Sequence, residues 1–244
     1  MNFDLDQVRK ELLASGKLRA AINYGNPVLA QRGADGAPQG VSVALAKALA
    51  KRLSVELEFV TFDGAGKVVE AAPSDTWDVG FLAIDPMRAD LVSFTAPYVL
   101  IEGTYLVRED SPYAAVADLD APGVRIAVGK GAAYDLYLSR ALKNAEIVRA
   151  ATSSAAIDLF LEQGLDAAAG VRQPLQAAAR SQPGLRVLPD YFTAIRQAMA
   201  TPARNVVALA YLQAFIEEMK ASGFVAQALR DSGQGDATVA PAGD

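Results

Sequence analysis

Strand patterns and helix patterns alternate along almost the whole chain, and this alternation constrains the fold more than any other feature of the sequence. The apolar residues of Leu18–Asn23 predict a strand, residues 40–53 predict a helix, and residues 55–60 and 77–81 predict two further strands. Strands that alternate with helices are typical of α/β folds with largely parallel sheets. The sequence therefore predicts an α/β protein.

A second series of alternating elements begins near residue 117. Thr152 or Ser153 is expected to cap one of its helices, because a hydroxyl oxygen can accept a hydrogen bond from a free N–H at a helix start. The predicted strands of this series are residues 125–128, 146–149, 166–170 and 185–188, and its predicted helices are residues 132–142, 152–162 and 174–180. The remaining predicted elements are helices over residues 4–15 and 205–222 and extended segments over residues 103–108 and 192–199.

The sequence contains no cysteine and no histidine, and this removes many kinds of active site. Disulfide frameworks, thiolate nucleophiles, histidine-based triads and cysteine- or histidine-ligated metals are excluded. No group of Asp and Glu residues has the spacing of a metal-binding loop, so we expect no metal and no other cofactor. Any catalysis would depend on Asp, Glu, Lys, Tyr or Arg side chains, and a binding protein is therefore favoured.

The segment Ala83-Ile84-Asp85-Pro86-Met87-Arg88 places an arginine just beyond a predicted buried strand. It is followed by Phe94-Thr95-Ala96-Pro97-Tyr98, an apolar run that contains a proline. The planar fork of arginine suits a carboxylate, because it can donate two parallel charge-assisted hydrogen bonds. The alternative is a surface arginine whose stem packs on a short turn.

This motif and the order of the predicted elements resemble the bacterial extracellular solute-binding proteins of family 3, from about residue 18 to about residue 229. The resemblance implies a two-lobed, type II periplasmic-binding-protein-like α/β fold, in which each lobe is a mostly parallel sheet flanked by helices. Lobe 1 would comprise residues 1–107 and 199–244, and lobe 2 would comprise residues 108–198. Two crossing hinge strands would join the lobes, and a ligand would be trapped in the cleft between them by closure.

The resemblance also implies which residues hold the ligand. Arg88 matches the arginine that binds the α-carboxylate in the family. The turn at Lys130, Gly131, Ala132 and Ala133 opens a predicted helix, where free N–H groups can bind an anion. The family usually has a hydroxyl residue in this turn, so here only backbone donors remain, and an ordinary strand-to-helix turn is the alternative.

The sequence departs from the family where the α-amino group is usually bound. Ala83 stands where a threonine is common, and Val171 stands where an aspartate usually pairs with the ammonium group. An unpaired buried ammonium is costly, so an organic acid without the amino group is expected to bind better than an amino acid. Glu102 or Asp85 could replace the missing carboxylate, although Asp85 is expected to cap the turn before Pro86 and Glu102 could lie on the surface.

Other candidates follow from their expected positions. Arg172 could provide a second contact to an anion or could face solvent, and Tyr134 could stack on the ligand or pack in the core. Asn23, Tyr24 and Asn26 border the loop that forms the cleft wall in relatives. The complete predicted ligand-binding set is Asn23, Tyr24, Asn26, Ala83, Asp85, Arg88, Glu102, Lys130, Gly131, Ala132, Ala133, Tyr134 and Arg172.

We therefore expect a monomeric solute-binding protein that captures a small carboxylate-bearing solute for ABC-type uptake and docks on an ABC permease. One alternative is an enzyme on the same fold, a cyclohexadienyl dehydratase-like protein in which Glu102 is the acid and Arg88 orients the substrate. Another alternative is a cytoplasmic sensor or buffer of the ligand.

Charge and hydropathy limit the partners and the location. The net charge of −5 without a basic stripe argues against nucleic acid. No apolar run reaches the ~20 residues of a membrane span, so no membrane insertion is expected. The first ten residues lack the pattern of a secretory signal. We expect a periplasmic protein if a leader has been removed, and a cytoplasmic one if the sequence is complete.

Overall fold

A computed structural model of the protein describes residues 3–13 and 15–243. Residues 1, 2 and 244 of the predicted lobe 1, and Ala14 of the predicted helix over residues 4–15, lie outside the described residues. The helices are α1 Leu5–Leu12, α2 Val41–Leu53, α3 Ala65–Ala71, α4 Ala133–Ala141, α5 Ser153–Glu162, α6 Arg172–Ser181, α7 Val206–Ala221 and α8 Phe224–Asp231. The strands are β1 Leu18–Asn23, β2 Gln31–Arg32, β3 Pro38–Gln39, β4 Leu57–Phe62, β5 Val79–Ala83, β6 Val92–Arg108, β7 Arg125–Gly129, β8 Glu146–Ala150, β9 Ala167–Val171, β10 Leu185–Val187, β11 Thr193–Pro202 and β12 Thr238–Val239.

The chain divides into two compact units. Unit 1 consists of Met1–Leu100 and Arg196–Asp244, and unit 2 consists of Ile101–Ile195. The division falls within β6 and within β11.

The sheet of unit 1 is built around β1, which pairs in parallel with β4 on one side and β5 on the other. β11 adds to β5 as an antiparallel neighbour, and β12 pairs with β6 at Val99 and Leu100. Trp77 is fully buried beside this sheet, and its indole N–H donates to the carbonyl of Val68 at 2.9 Å. Because the strands run in parallel, β1 and β5 end at the same edge of the sheet.

The sheet of unit 2 has β7 at its centre, with β8 and β9 as parallel neighbours. β6 pairs with β9 and with β10, both in antiparallel fashion. A Cβ at Gly129 would lie 2.8 Å from the backbone of Ser153, so only glycine lets the end of β7 approach the start of α5 this closely. Because β7 and β9 are parallel, their carboxyl ends lie at one edge of the sheet, and the end of β7 lies next to the first turn of α5.

Most predicted elements are present, with small shifts at their ends. α6 begins two residues before Pro174, because a proline in the first helical turn removes an N–H that has no partner within the helix. Thr152 caps α5 as expected, and its hydroxyl accepts from the N–H of Ala155 at 3.2 Å. The short β2–β3 hairpin, α3, α8 and β12 were not predicted.

Within the described residues, no helix combines the length and the apolar character that crossing a membrane requires.

Candidate ligand site

The turn after β5 fixes the position of Arg88. Pro86, Met87 and Arg88 form a short 3-10 helix, and the Asp85 side chain caps it by accepting from the N–H of Met87 at 2.9 Å. The guanidinium of Arg88 donates from Nη1 to the carbonyl of Ala83 at 2.8 Å. Arg88 is only 2% exposed, whereas its neighbour Met87 is 64% exposed. The predicted cap is confirmed, and the turn directs the arginine inward.

The electrostatic environment of Arg88 is set mainly by its burial. Loss of water around the guanidinium lowers the pKa of Arg88 to about 10, and the negative charge of Asp85 opposes this change without cancelling it. An anion placed against a buried guanidinium stabilises its charged form. A carboxylate bound here would therefore offset the free-energy cost of keeping the charged guanidinium away from water.

The last residue of β1, Asn23, and the loop after it, with Tyr24 and Asn26, contain three further unit 1 candidates. Asn23 and Asn26 are both buried, and each Oδ1 accepts from a backbone N–H two residues later, at 2.9 Å from Gly25 and 3.2 Å from Val28. These bonds shape the loop and occupy one acceptor of each side chain. The ring of Tyr24 is half-buried, and the guanidinium carbon of Arg32 lies 4.1 Å from its centroid.

The turn between β7 and α4 carries the predicted backbone donors. Ala132 is the N-cap of α4 and has no side-chain capping bond, and Gly131 has a φ of 72°. The N–H of Gly131 donates to Oδ2 of Asp135 at 2.8 Å, and the N–H of Lys130 donates to the carbonyl of Ala150 at 2.9 Å. The N–H of Ala132 donates to the carbonyl of Gly129 at 3.1 Å, so the turn's remaining donors are those of the first helical residues, starting at Ala133, which have no acceptor within the helix.

Asp135 is a site-shaping residue that the sequence reasoning missed. It is 3% exposed, and in addition to Gly131 its carboxylate contacts Ser139 and the Nε of Arg149, the latter at 3.0 Å. An acidic residue three positions after the N-cap is a known signal of helix starts, so the pattern was available in the sequence. Arg149 offsets the negative charge that Asp135 places beside the turn.

Tyr134 in the first turn of α4 and Lys130 just after β7 differ in exposure. Tyr134 is buried, its hydroxyl donates to the Ser153 hydroxyl at 2.9 Å, and burial raises the pKa of Tyr134. Lys130 is exposed. Contact of either residue with a ligand stays a prediction.

Glu102 and Arg172 form an ion pair. The Nε of Arg172 donates to the carboxylate of Glu102, and its Nη atoms donate to the carbonyls of Leu188, Pro189 and Asp190 at 3.0, 3.1 and 2.9 Å. The Arg172 side chain is 16% exposed and that of Glu102 is 43% exposed. Two residues that the sequence suggested for separate contacts with a ligand are thus engaged with one another.

Each unit gathers its candidates at the carboxyl ends of its strands. In unit 1 the candidates lie at or just after the ends of β1 and β5. These ends lie at the same edge of the sheet, because the two strands pair in parallel with Ala21 opposite Gly80. In unit 2, the pairing of Ala127 with Ala168 brings the turn after β7 level with the end of β9, where Arg172 lies. Small molecules bind at this end of the strands in open α/β sheets.

The chain is similar to known proteins over most of its length. Residues 18–231 match the family described as bacterial extracellular solute-binding proteins, family 3. A solute receptor for L-cysteine of Neisseria gonorrhoeae superposes with a TM-score of 0.79 at 23% identity, with 93% of this chain and 92% of the receptor covered. A mutant of ArgBP from T. maritima superposes with a TM-score of 0.78 at 24% identity, with 92% and 98% covered.

A third similar structure is an ancestral amino acid-binding protein described as a precursor of cyclohexadienyl dehydratase, with a TM-score of 0.76, 24% identity, and 93% and 98% of the two chains covered. No curated protein matches the sequence. The structural matches confirm the predicted fold class, the two-lobed type II periplasmic-binding-protein-like α/β fold.

Proposed function

The chain belongs to the bacterial extracellular solute-binding proteins of family 3, and on this premise we propose that it captures a small organic acid by its carboxylate. The proposal includes delivery of the bound solute to an ABC-type permease. The amino-acid ligands named for similar structures belong to those proteins, and the contacts of this chain favour a different ligand.

The buried guanidinium of Arg88 is the observation that carries the proposal. It is held at the end of β5 by the carbonyl of Ala83 and by a turn that Asp85 caps. Arginine in a fixed, water-poor position binds carboxylates by charge-assisted hydrogen bonds, which are about twice as strong as neutral ones. In unit 2, the outward N–H groups at the start of α4 supply a second place for a carboxylate oxygen.

The groups around the site do not favour an ammonium group. Ala83 and Val171 are buried and carry neither a hydroxyl nor a carboxylate. Glu102, an acid within β6, is already paired with Arg172. Asp85 caps the arginine turn, and its charge already acts on Arg88. With Glu102 and Asp85 engaged in this way, an α-ammonium group would be desolvated without a matching anion, so 2-oxo and 2-hydroxy acids should bind better than the corresponding amino acids.

We also propose that ligand binding draws on both units, as the family resemblance implies. A solute that contacts Arg88 from unit 1 and the α4 turn from unit 2 would favour a closed state, because its differential affinity for that state shifts the equilibrium.

The dehydratase alternative has less support. One similar structure is described as a precursor of cyclohexadienyl dehydratase, which keeps the alternative worth testing. However, a general acid must direct its proton at the substrate, and the carboxylate of Glu102 is directed at Arg172. Incubation with prephenate or arogenate, followed by product analysis, separates an enzyme from a binding protein.

The proposed function is tested with a thermal-shift panel in which each carbon skeleton is offered as the 2-oxo, 2-hydroxy and 2-amino acid. We expect the oxo and hydroxy acids to raise the melting temperature more than the amino acids do. Native mass spectrometry of the purified protein provides a second readout, because a co-purified ligand would be an organic acid. A consistent preference for amino acids across the skeletons would overturn the proposed ligand class.

A further inference from the structure

Arg32 is held against an aromatic ring at the end of β1. It lies in the β2–β3 hairpin, where it pairs with Pro38, and its guanidinium carbon is 4.1 Å from the centroid of the Tyr24 ring. The side chain is exposed. Within residues 3–13 and 15–243, no carboxylate or carbonyl oxygen accepts a hydrogen bond from its guanidinium, so the ring fixes the group while its N–H edge remains available.

Two other arginines are stacked on rings, and their contacts differ. Arg52 lies over Phe215 at 5.1 Å and also pairs with the carboxylate of Glu218. Arg108 lies over Phe160 at 4.6 Å and donates to the carbonyl of Leu165 at 2.7 Å. In both cases the protein supplies the acceptor. Arg32 is positioned by a ring, but the protein provides no hydrogen-bond acceptor for it within the described residues. Its guanidinium is therefore suited to donate to an anionic ligand group as its hydrogen-bond partner.

The sheet register places the ring that holds this arginine at the same sheet edge as the Arg88 turn. β1 and β5 are parallel, with Ala21 opposite Gly80. Continuing that register by three residues brings Tyr24 level with Ala83, whose carbonyl accepts from Arg88. Neighbouring strands lie about 4.8 Å apart. Tyr24, on which Arg32 stacks, and Ala83, which accepts from Arg88, therefore lie at the same edge of the unit 1 sheet.

The first acid after the neighbouring strand β4 is already paired. Asp63 follows β4, and its carboxylate contacts the ammonium of Lys67 at 2.8 Å. A Cβ at Gly25 would lie 2.8 Å from the Asp63 carbonyl, which shows how closely this residue approaches the loop after β1. Lys67 thus offsets the charge of Asp63, and Asp85 is the acid whose charge acts on Arg88.

We propose that Arg32 is a specificity-determining residue that binds a second carboxylate of the ligand, so that the solute class is small dicarboxylic acids. This inference rests on the proposed function, in which Arg88 binds the first carboxylate. Stacking on Tyr24 restricts the guanidinium before the ligand arrives and so reduces the entropy lost on binding. Tyr24 acts by positioning Arg32.

The test measures binding of matched monocarboxylates and dicarboxylates by isothermal titration calorimetry. The pairs are butyrate with succinate and 2-oxovalerate with 2-oxoglutarate. We expect the dicarboxylate of a pair to bind about tenfold more tightly, the usual effect of one hydrogen bond to a charged group. Arg32→Gln should remove this advantage and leave monocarboxylate binding unchanged, and Tyr24→Leu should reduce the advantage. Arg52→Gln is the matched control, because it removes another ring-stacked arginine of unit 1 and should preserve the preference.

The outcomes separate the two proposals. Equal binding within each pair, or an advantage that survives in folded Arg32→Gln protein, overturns the role of Arg32 and leaves carboxylate capture by Arg88 in place. If no acid of either pair binds, the dicarboxylate inference fails, and the thermal-shift panel decides separately whether the proposed function fails too.

Discussion

Replacing Arg88 with methionine should abolish ligand binding without unfolding the protein. Arg88 is 2% exposed, so its interaction with a ligand carboxylate is not weakened by solvent as a surface pair would be. Truncating one partner of a buried, hydrogen-bonded charge pair costs ~2–5 kcal/mol, which corresponds to a roughly 30-fold to 4000-fold loss of affinity. Methionine has a similar length and can occupy the same buried path.

The effect of this substitution on folding should be smaller, because two contributions oppose one another. The carbonyl of Ala83 loses its hydrogen bond from Arg88, which costs about 1–3 kcal/mol if no other donor replaces it. The substitution also removes the unfavourable desolvation of the buried guanidinium, the effect that lowers the pKa of Arg88 to about 10, and this favours the folded variant. We therefore expect only a modest change in the free energy of unfolding.

The assay is calorimetric titration of wild type, Arg88→Met and Arg88→Lys with the best acid of the panel, alongside thermal unfolding of each protein. Lysine keeps the charge and loses the planar fork, so Arg88→Lys should bind with intermediate affinity. If Arg88→Met unfolds cooperatively and binds as tightly as the wild type, Arg88 does not hold the carboxylate and the reasoning is refuted.

Three further predictions concern pH, specificity and domain closure. Burial lowers the pKa of Arg88 to about 10, below its value in the unfolded chain, so the guanidinium loses its charge more readily in the fold. Ligand affinity of the wild type, measured by calorimetric titration, should therefore fall as the pH rises through about 10, and a constant affinity across that pH would contradict the role of Arg88. Arg172→Met should release Glu102 and improve amino-acid binding about tenfold relative to the matching 2-oxo acids, and an unchanged ratio would show that Glu102 does not reach the ligand. The radius of gyration measured by X-ray scattering should decrease when a saturating acid is added to ligand-free protein, and identical profiles would contradict closure.

Local sequence patterns determined much of this protein. The alternation of apolar strands and helices specified the α/β fold, since the spacing of apolar residues reports which face of each element is buried. The Asp-Pro pattern before Arg88 specified a capped turn, because capping involves residues only a few positions apart. The same kind of pattern would have revealed Asp135, whose bond to the N–H of Gly131 spans four residues.

Tertiary structure decided which of the candidate groups contact one another. Glu102 and Arg172 lie 70 residues apart and meet only because β6 pairs with β9, with Gly103 opposite Val171. Arg32 reaches Tyr24 through the β2–β3 hairpin, which the sequence did not reveal because each of its strands has only two residues. A side chain's charge and shape are set by the sequence, but its partner depends on strand register and loop path, and these are fixed by packing across the whole sheet.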